Sequence, residues 1–517
     1  MALESNAKAG VADCDRFRLR RFVDSLPPLE LERRSARVDL VDVAAALDGN
    51  PRAVLFEKAG HEAAELVANV CASRSRIAIA FGVAPDRVAA EVMRRMRVPQ
   101  DVSELQRDHA PVQEVVLEGP EADLTALPVH LQHALDGAPY ISASVDFALD
   151  RNLGVTNVGM RRLMLRGRRK AGIDLIAPSD LRAIYEAQLG RGEPLPVAFA
   201  VGSHPIDHLA ATLRIPGDEL ALMASLRGAA LPVVKCITSD LRVPADAEYV
   251  IEGTIDARGY VEPEGPYGEF LGYYGEVKRN PVFHLAAITR RRDALFQSAT
   301  IGGRSLARTD TAQLMSVRTE VTLWRALEAA VREVKAVHAT PACGGAFNVR
   351  VAMRPRVPGE ARNAIAAAFG SLVNVKNVFV VDPDVDVFSD EQMDWALATR
   401  FRADRDLVIA SGFRAMPLDP SLGAELTWSK AGFDLTRDVP APGQALALAQ
   451  HVPEPPRAVG PRFDSIRAAL AHGSKHFEEL MAATGSRDGR ELVRELEVLD
   501  ARGEIARDAD GRHRLAQ

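Results

Sequence analysis

The chain has 517 residues, 64 Lys and Arg against 70 Asp and Glu, and a net charge of −6. This length suggests about three domains, and the near-balance of charge excludes a general polyanion-binding surface. The four cysteines, Cys14, Cys71, Cys236 and Cys343, are dispersed with no C-x-x-C pair, which excludes a disulfide framework or a zinc knuckle. No apolar run reaches the ~18 residues of a membrane span, and the N-terminus has no apolar core behind basic residues. A soluble cytoplasmic protein is the expectation.

In chain order, residues 1–14 are small and polar and read as a disordered tail. Over 15–115 a small α/β domain is predicted: a helix over Phe17–Val23, a second over Leu40–Leu47 with Asp39 as N-cap, and a strand over Ala53–Glu57. Helical spacing then recurs over His61–Cys71 and over Pro85–Met96, the latter with Pro and Asp in its first turn. From 116 to 308 short β-like runs dominate, among them Ile141–Leu149, Leu153–Val158, Val197–Val201, Leu231–Ile237, Glu248–Glu252 and Asn280–Thr289. Gly and Pro punctuate them, so a barrel or sandwich is predicted.

Over 309–447 a long helix, Thr309–Val334, precedes alternating strand and helix patterns: Phe347–Met353, Pro358–Phe369, Val375–Val381, Ser389–Thr399 and Leu407–Ala410. Ser389 and Gln392 have capping-box spacing, and the alternation predicts a second α/β domain with parallel strand pairs. Pro453, Pro455, Pro456 and Gly460 mark a linker over 448–460. Residues 461–517 predict three helices, Asp464–Ala471, Lys475–Thr484 and Asp488–Ala501, and a hairpin at Asp510-Gly511, a winged-helix-like pattern. Its ten basic and eleven acidic residues give −1, which argues against DNA contact and for a packing or docking module.

The stretch richest in chemistry is E-G-P-Y-G-E, Glu264 to Glu269. Pro266 removes a backbone donor and biases Gly265 away from helix, so two carboxylates stand on a shaped loop between strands. Loops on a rigid sheet display catalytic groups, and two nearby carboxyls can be held at different pKa values. A solvated surface turn is the plain alternative. His204 and His208 have H-x3-H spacing, but Pro205 lies between them and no motif places an acidic third ligand, so a helix start is expected instead of zinc. Asp382, Asp384 and Asp386 open like an EF-hand but lack its Gly and its final Glu, and read as a strand exit.

Two longer segments, V-V-K-C-I-T-S-D-L-R-V-P-A-D-A-E-Y-V-I-E-G and P-E-G-P-Y-G-E-F-L-G-Y-Y-G-E-V, resemble the signature region of the UbiD family of decarboxylases. The resemblance spans about residues 15–445. It implies an N-terminal α/β domain, a central split β-barrel that binds prenylated FMN, and a C-terminal α/β domain used in oligomerisation. It also implies an acid–arginine–acid set. Glu269 would protonate the reacting carbon, Glu264 would stay ionised and orient an arginine, and that arginine is Arg162, five residues after Asn157 as in the family. Arginine suits the role because its planar fork grips a carboxylate at two points. Arg161 competes for it but is assigned to the other face of the strand.

The family also implies a divalent ion, Mn2+ or similar, with potassium alongside, bridging protein and flavin phosphate through Asn, His and Glu. Asn157 and Glu219 match two positions, whereas Asp180 stands where the commoner residue is His. Asp180 is either an oxygen ligand or the cap of a helix beginning near Leu181. Lys430, in W-S-K-A-G-F-D, resembles the family's lysine that approaches the flavin phosphate. The reaction implied is reversible decarboxylation of an aromatic, heteroaromatic or α,β-unsaturated acid, releasing CO2, the flavin serving as electron sink. A flavin prenyltransferase would supply the cofactor and the protein would be a homo-oligomer, dimer or hexamer. The alternatives are a cofactor-free assembly subunit and a ligand-sensing regulator on a decarboxylase body.

Overall fold

The computed structural model describes residues 13–371, 374–423, 427–439, 448–453, 455–456 and 459–516. The expectations for residues 1–12 and 440–447 lie outside these. The last two residues of the expected tail are held: the Asp13 carboxylate accepts from the Asp15 and Arg16 amides, and Arg291 donates to the Cys14 carbonyl at 2.8 Å. The chain divides into two compact units, residues 1–436 and 437–517. Among the described residues no helix is long and apolar enough to cross a membrane.

The first unit opens with helices Leu19–Ser25 and Leu40–Leu47 around a four-stranded sheet ordered Leu31–Arg34, Ala53–Ala59, Ala64–Ala68 and Phe296–Ser298. The helix predicted over His61–Cys71 is thus a strand, paired antiparallel with Ala53–Ala59. Leu66 and Ala68 pack in one core and Val67 in another, on opposite sides. A short run buried on both faces has no polar stripe by which period 3.6 could be told from period 2.

The centre is a closed barrel of six antiparallel strands. In chain order they are Tyr140–Asp150, Val155–Gly167, Lys170–Ile173, Leu195–Val201, Tyr249–Ile255 and Val282–Arg290. Around the barrel the fifth strand pairs with the fourth, then follow the first, second, third and sixth, and the sixth pairs back to the fifth. Alternation divides the fourth strand between two cores. Val197, Phe199 and Val201 share one with Leu163, Ile251 and Phe283, while Ala198 and Ala200 join Val158 and helices Pro205–Ala210 and Glu219–Arg227. The second strand outruns the third, which it meets only from Leu163 onward, so Val155–Arg162 has a strand neighbour on one side alone. That open edge carries the candidate site.

Helix Asp310–Ala330 joins barrel and C-terminal sheet: Leu314, Val317 and Val321 pack in the barrel-side core, Leu323 and Leu327 in the sheet's core. The sheet runs Val334–Ala339, Asn348–Met353, Asn377–Val381, Thr427–Leu435, Leu407–Arg414, with the middle three parallel. At helix Asp390–Arg400 only half the predicted capping box forms. Ser389 accepts from the Gln392 amide, but the Gln392 side chain turns to the Asp386 amide. The second unit has helices Ile466–Leu470, Phe477–Thr484 and Arg490–Ala501 and the hairpin Ile505–Arg507 with His513–Leu515, closed over Ile466, Leu480, Leu492 and Leu496.

Candidate active site

Arg162 projects from the barrel's second strand into a ring of carboxylates. Its Nε donates to Glu264 at 3.2 Å, its Nη2 to Asp174 at 3.0 Å, and its Nη1 lies 3.1 and 3.3 Å from the two oxygens of Glu269. The guanidinium is 4.5 Å from the centre of the Tyr267 ring, which floors it. The acids come from the E-G-P-Y-G-E loop, whose arms Glu262–Glu264 and Tyr267–Gly268 pair with Lys278–Asn280 and Tyr274–Gly275. Gly265 adopts φ +95° and the Gly265–Pro266 peptide is cis. At Gly268 a Cβ would overlap the His133 ring, and the Gly268 amide donates to Asp136 at 2.9 Å.

The three carboxyls are not equivalent. Burial pushes Glu269 above the ordinary carboxylate range, against the opposing pull of Arg162. Burial also raises Asp174, but Arg162 and the Ile176 amide outweigh it and the carboxyl lies low. Glu264, 1% exposed, accepts from both Arg162 and the Asn280 side chain, the latter at 3.4 Å. Asn280 also donates to Asp174 at 3.3 Å and accepts from the Leu175 amide at 3.0 Å, fixing the two acids on either side of the arginine. The site therefore holds one carboxyl that favours its proton beside one held ionised by the same cation.

Arg161 turns to other partners, its Nη2 donating to Ser179 at 3.0 Å and its Nε 3.8 Å from buried Asp146. Asn157 and Glu219 do meet: the Asn157 amide donates to Glu219 at 2.8 Å, and the Val158 amide, free at the open edge, donates to the same oxygen at 2.6 Å. Burial raises Glu219 to about 7. Asp180 does not join them. The guanidinium of Arg214 stands between, its Nε 3.0 Å from Asp180 and its Nη1 3.8 Å from Glu219. Nor is Asp180 the helix cap, because Ser179 accepts from the Arg182 amide and Asp180 is the first residue of helix Asp180–Leu189, where its charge suits the helix dipole. As arranged, two acids and an amide with a guanidinium among them do not fit a divalent cation. Among the described residues no three His, Cys, Asp or Glu side chains gather to hold one.

Lys430 lies on strand Thr427–Leu435, buried, its Nζ donating to the Phe369 carbonyl at 2.7 Å and lying 4.9 Å from the centre of the Phe413 ring. Burial lowers its pKa to about 8, and no carboxylate pairs with it among the described residues. A buried ammonium with a single carbonyl partner fits the phosphate of a flavin mononucleotide. His204 is the N-cap of helix Pro205–Ala210, its ring nitrogen accepting from the Ile206 amide at 3.3 Å.

Sequence reasoning passed over Asp174, Asn280 and Tyr267, all in contact with the acid–arginine set. Tyr267 lies inside the motif and could have been found there. Asp174 and Asn280 are isolated polar residues at strand ends, and only the closing of the barrel brings them together.

Comparison with known proteins agrees with this architecture. Models described as the N-terminal, Rift-related and C-terminal domains of 3-octaprenyl-4-hydroxybenzoate carboxy-lyase match residues 30–96, 104–305 and 312–435. Anhydromevalonate phosphate decarboxylase of Methanosarcina mazei is 31% identical over 375 residues, covering 72% of this chain and 85% of its own. The enzyme of the same name from Aeropyrum pernix is 34% identical over 376 residues, 72% and 82% of the two chains. Among solved structures, the UbiD-class enzyme HmfF of Pelotomaculum thermopropionicum in complex with FMN superposes with a TM-score of 0.77 at 34% identity, over 83% of this chain and 97% of that one. Vanillic acid decarboxylase of Sedimentibacter hydroxybenzoicus in open form gives 0.77 at 27% identity, over 95% and 100%. The six-stranded barrel, the flanking domains and these matches together show that the chain belongs to the UbiD family of carboxy-lyases.

Proposed function

We propose that this decarboxylase works with prenylated FMN, reversibly removing CO2 from an aromatic, heteroaromatic or α,β-unsaturated carboxylic acid. The observation that carries the reading is the ring of three carboxyls around Arg162, in which burial raises the pKa of Glu269 while Arg162 helps hold that of Asp174 low. When bound, prenylated FMN supplies the electron sink for loss of CO2. Arg162 binds the substrate carboxylate with Nη1, the nitrogen now facing Glu269. Glu269, relieved of the cation that lowers its pKa, then holds its proton more firmly. As CO2 departs, the Glu269 carboxyl passes this proton to the carbon that carried it, and in the reverse direction takes it back. Glu264 and Asp174 keep Arg162 in place, and Tyr267 excludes water beneath it.

Lys430 and Asn157 serve the cofactor's phosphate end. A flavin prenyltransferase supplies the cofactor, and the protein assembles as a homo-oligomer, dimer or hexamer. The two relatives named as anhydromevalonate phosphate decarboxylases support keeping non-aromatic acids in the substrate class. Co-expression with a flavin prenyltransferase tests the reading. The purified protein should carry prenylated FMN by absorbance and mass, and should release CO2 from a member of an unsaturated and aromatic acid panel. A cofactor-free protein, silent across the panel, would instead support the assembly-subunit alternative.

A further inference from the structure

The Glu269 carboxyl has little to hold it except its own backbone. Among the described residues Arg162 alone donates to it, and in the reaction proposed above Arg162 turns to the substrate carboxylate. Glu269 must then be kept in place through the loop that carries it. The segment 132–137, which leads into the barrel's first strand, grips that loop at successive residues. The Asp136 side chain is fully buried and its oxygens divide their donors: Oδ1 accepts from the Gly268 amide at 2.9 Å, and Oδ2 from the His133 amide at 3.0 Å, with His133 Nδ1 3.3 Å from the same oxygen. The Gly137 amide donates to the Pro266 carbonyl at 2.8 Å, and a Cβ at Gly137 would overlap the Gly265 carbonyl, so backbone lies directly on backbone. Gln132 Oε1 accepts from the Tyr267 hydroxyl at 2.5 Å, while Gln132 Nε2 donates to the Ala299 carbonyl at 2.9 Å. Gly302 closes the far side, where a Cβ would stand 2.9 Å from the Glu269 carbonyl oxygen. Residues 265–268 are thus each seated against 132–137. The tie at Asp136 is the firmest of them, because a buried carboxylate bonded to amides is charge-assisted and costly to leave without its donors.

We propose that Asp136 is a positioning residue for proton transfer. With Gln132 and Gly137 it fixes the backbone beneath Glu269, so the carboxyl keeps its place when Arg162 turns to the substrate. This rests on the reading of Glu269 as the proton donor. A displacement of about 1 Å at a reacting group can cost about 10²-fold in rate, so a tie two bonds behind the donor's own residue has leverage on turnover without touching the substrate.

The test uses the flavin-loaded enzyme, an acid of the panel that it decarboxylates, and the variants Asp136→Asn, Asp136→Ala and Glu269→Gln, alone and combined. Asp136→Asn keeps the shape but sets an NH2 group against one of the amides. It should lower kcat about tenfold and change KM by less than about twofold, with flavin content unchanged and exchange of the substrate carbon's proton with deuterated solvent falling by the same factor as kcat. Asp136→Ala leaves both amides without an acceptor and should cost about 10²-fold in kcat; Asp136→Asn carries the test if that variant does not fold. In the Glu269→Gln background either substitution should remove less than about twofold more, because a residue that acts through Glu269 has nothing further to lose. Full kcat in Asp136→Asn, an equal loss in both backgrounds, a loss carried by KM or a loss matched by flavin content overturns the proposal and leaves Glu269 as donor. Near-normal exchange in Glu269→Gln alone overturns the donor reading, and the positioning role with it.

Discussion

The acid loop and the open strand edge present two charged regions on one barrel strand, and their balances differ. At Arg162 one guanidinium faces three carboxylates; at the open edge one guanidinium, that of Arg214, faces two, Asp180 and Glu219. An excess of acid around a single buried cation is relieved by a proton, and burial assigns that proton to Glu269. The same strand thus carries an arginine ringed by three acids at one end and, at its open edge, an acid held by two strand donors and an arginine.

The largest expected effect is at Glu269. Glu269→Gln keeps the shape but cannot deliver a proton, so turnover and exchange of the substrate carbon's proton with deuterated solvent should both fall about 10²–10⁴-fold, with flavin content unchanged. Near-normal exchange would reduce the loop to a structural turn. Arg162→Lys keeps the charge but loses the fork, and kcat/KM should fall about 10²-fold. Asp174→Asn asks whether the third carboxylate matters. It removes one charge-assisted contact to Arg162 and should lower kcat/KM about tenfold, most of it in KM if the arginine is only misplaced.

The pH dependence follows from the raised Glu269 pKa. Turnover should be sustained above the ordinary carboxyl value and decline as Glu269 loses its proton, and Glu269→Gln should erase that alkaline limb. For stability, the folded state holds the proton to higher pH than the unfolded chain does. Glu269 therefore contributes a loss of stability as pH rises above about 4.5, seen as a falling Tm that the Gln variant lacks.

Lys430→Ala sharpens the other side of the comparison and should lower flavin content measured by absorbance while leaving the fold intact, since the ammonium gives up a single carbonyl contact. The smallest effect is expected from deleting residues 461–517. Their three helices and hairpin close over their own core, and flavin content per chain should stay within about twofold.

The acid–arginine set was legible because the loop's Gly and Pro pattern singled out Glu264 and Glu269, and the resemblance to the UbiD family, through the spacing from Asn157 to Arg162, added the arginine before any fold was known. The ion-binding expectation was less secure because it joined residues from three elements. Asn157 and Glu219 meet, but Arg214, a lone arginine in a loop with no motif of its own, enters between Glu219 and Asp180. The strand at Ala64–Ala68 was misread as a helix for a related reason, being buried between two cores that the sequence does not reveal.

By itself the sequence determined most of the order of α and β segments, the tail's separate helical pattern and the two-carboxylate E-G-P-Y-G-E loop, because periodicity, turn chemistry and short spacings are local properties. Only the tertiary structure decided that Asp174 and Asn280 support Arg162 and that Asp180 pairs with Arg214. Those outcomes depend on burial and on which charges chain closure places within a few ångströms, and Coulomb energy falls with a distance that sequence separation does not specify.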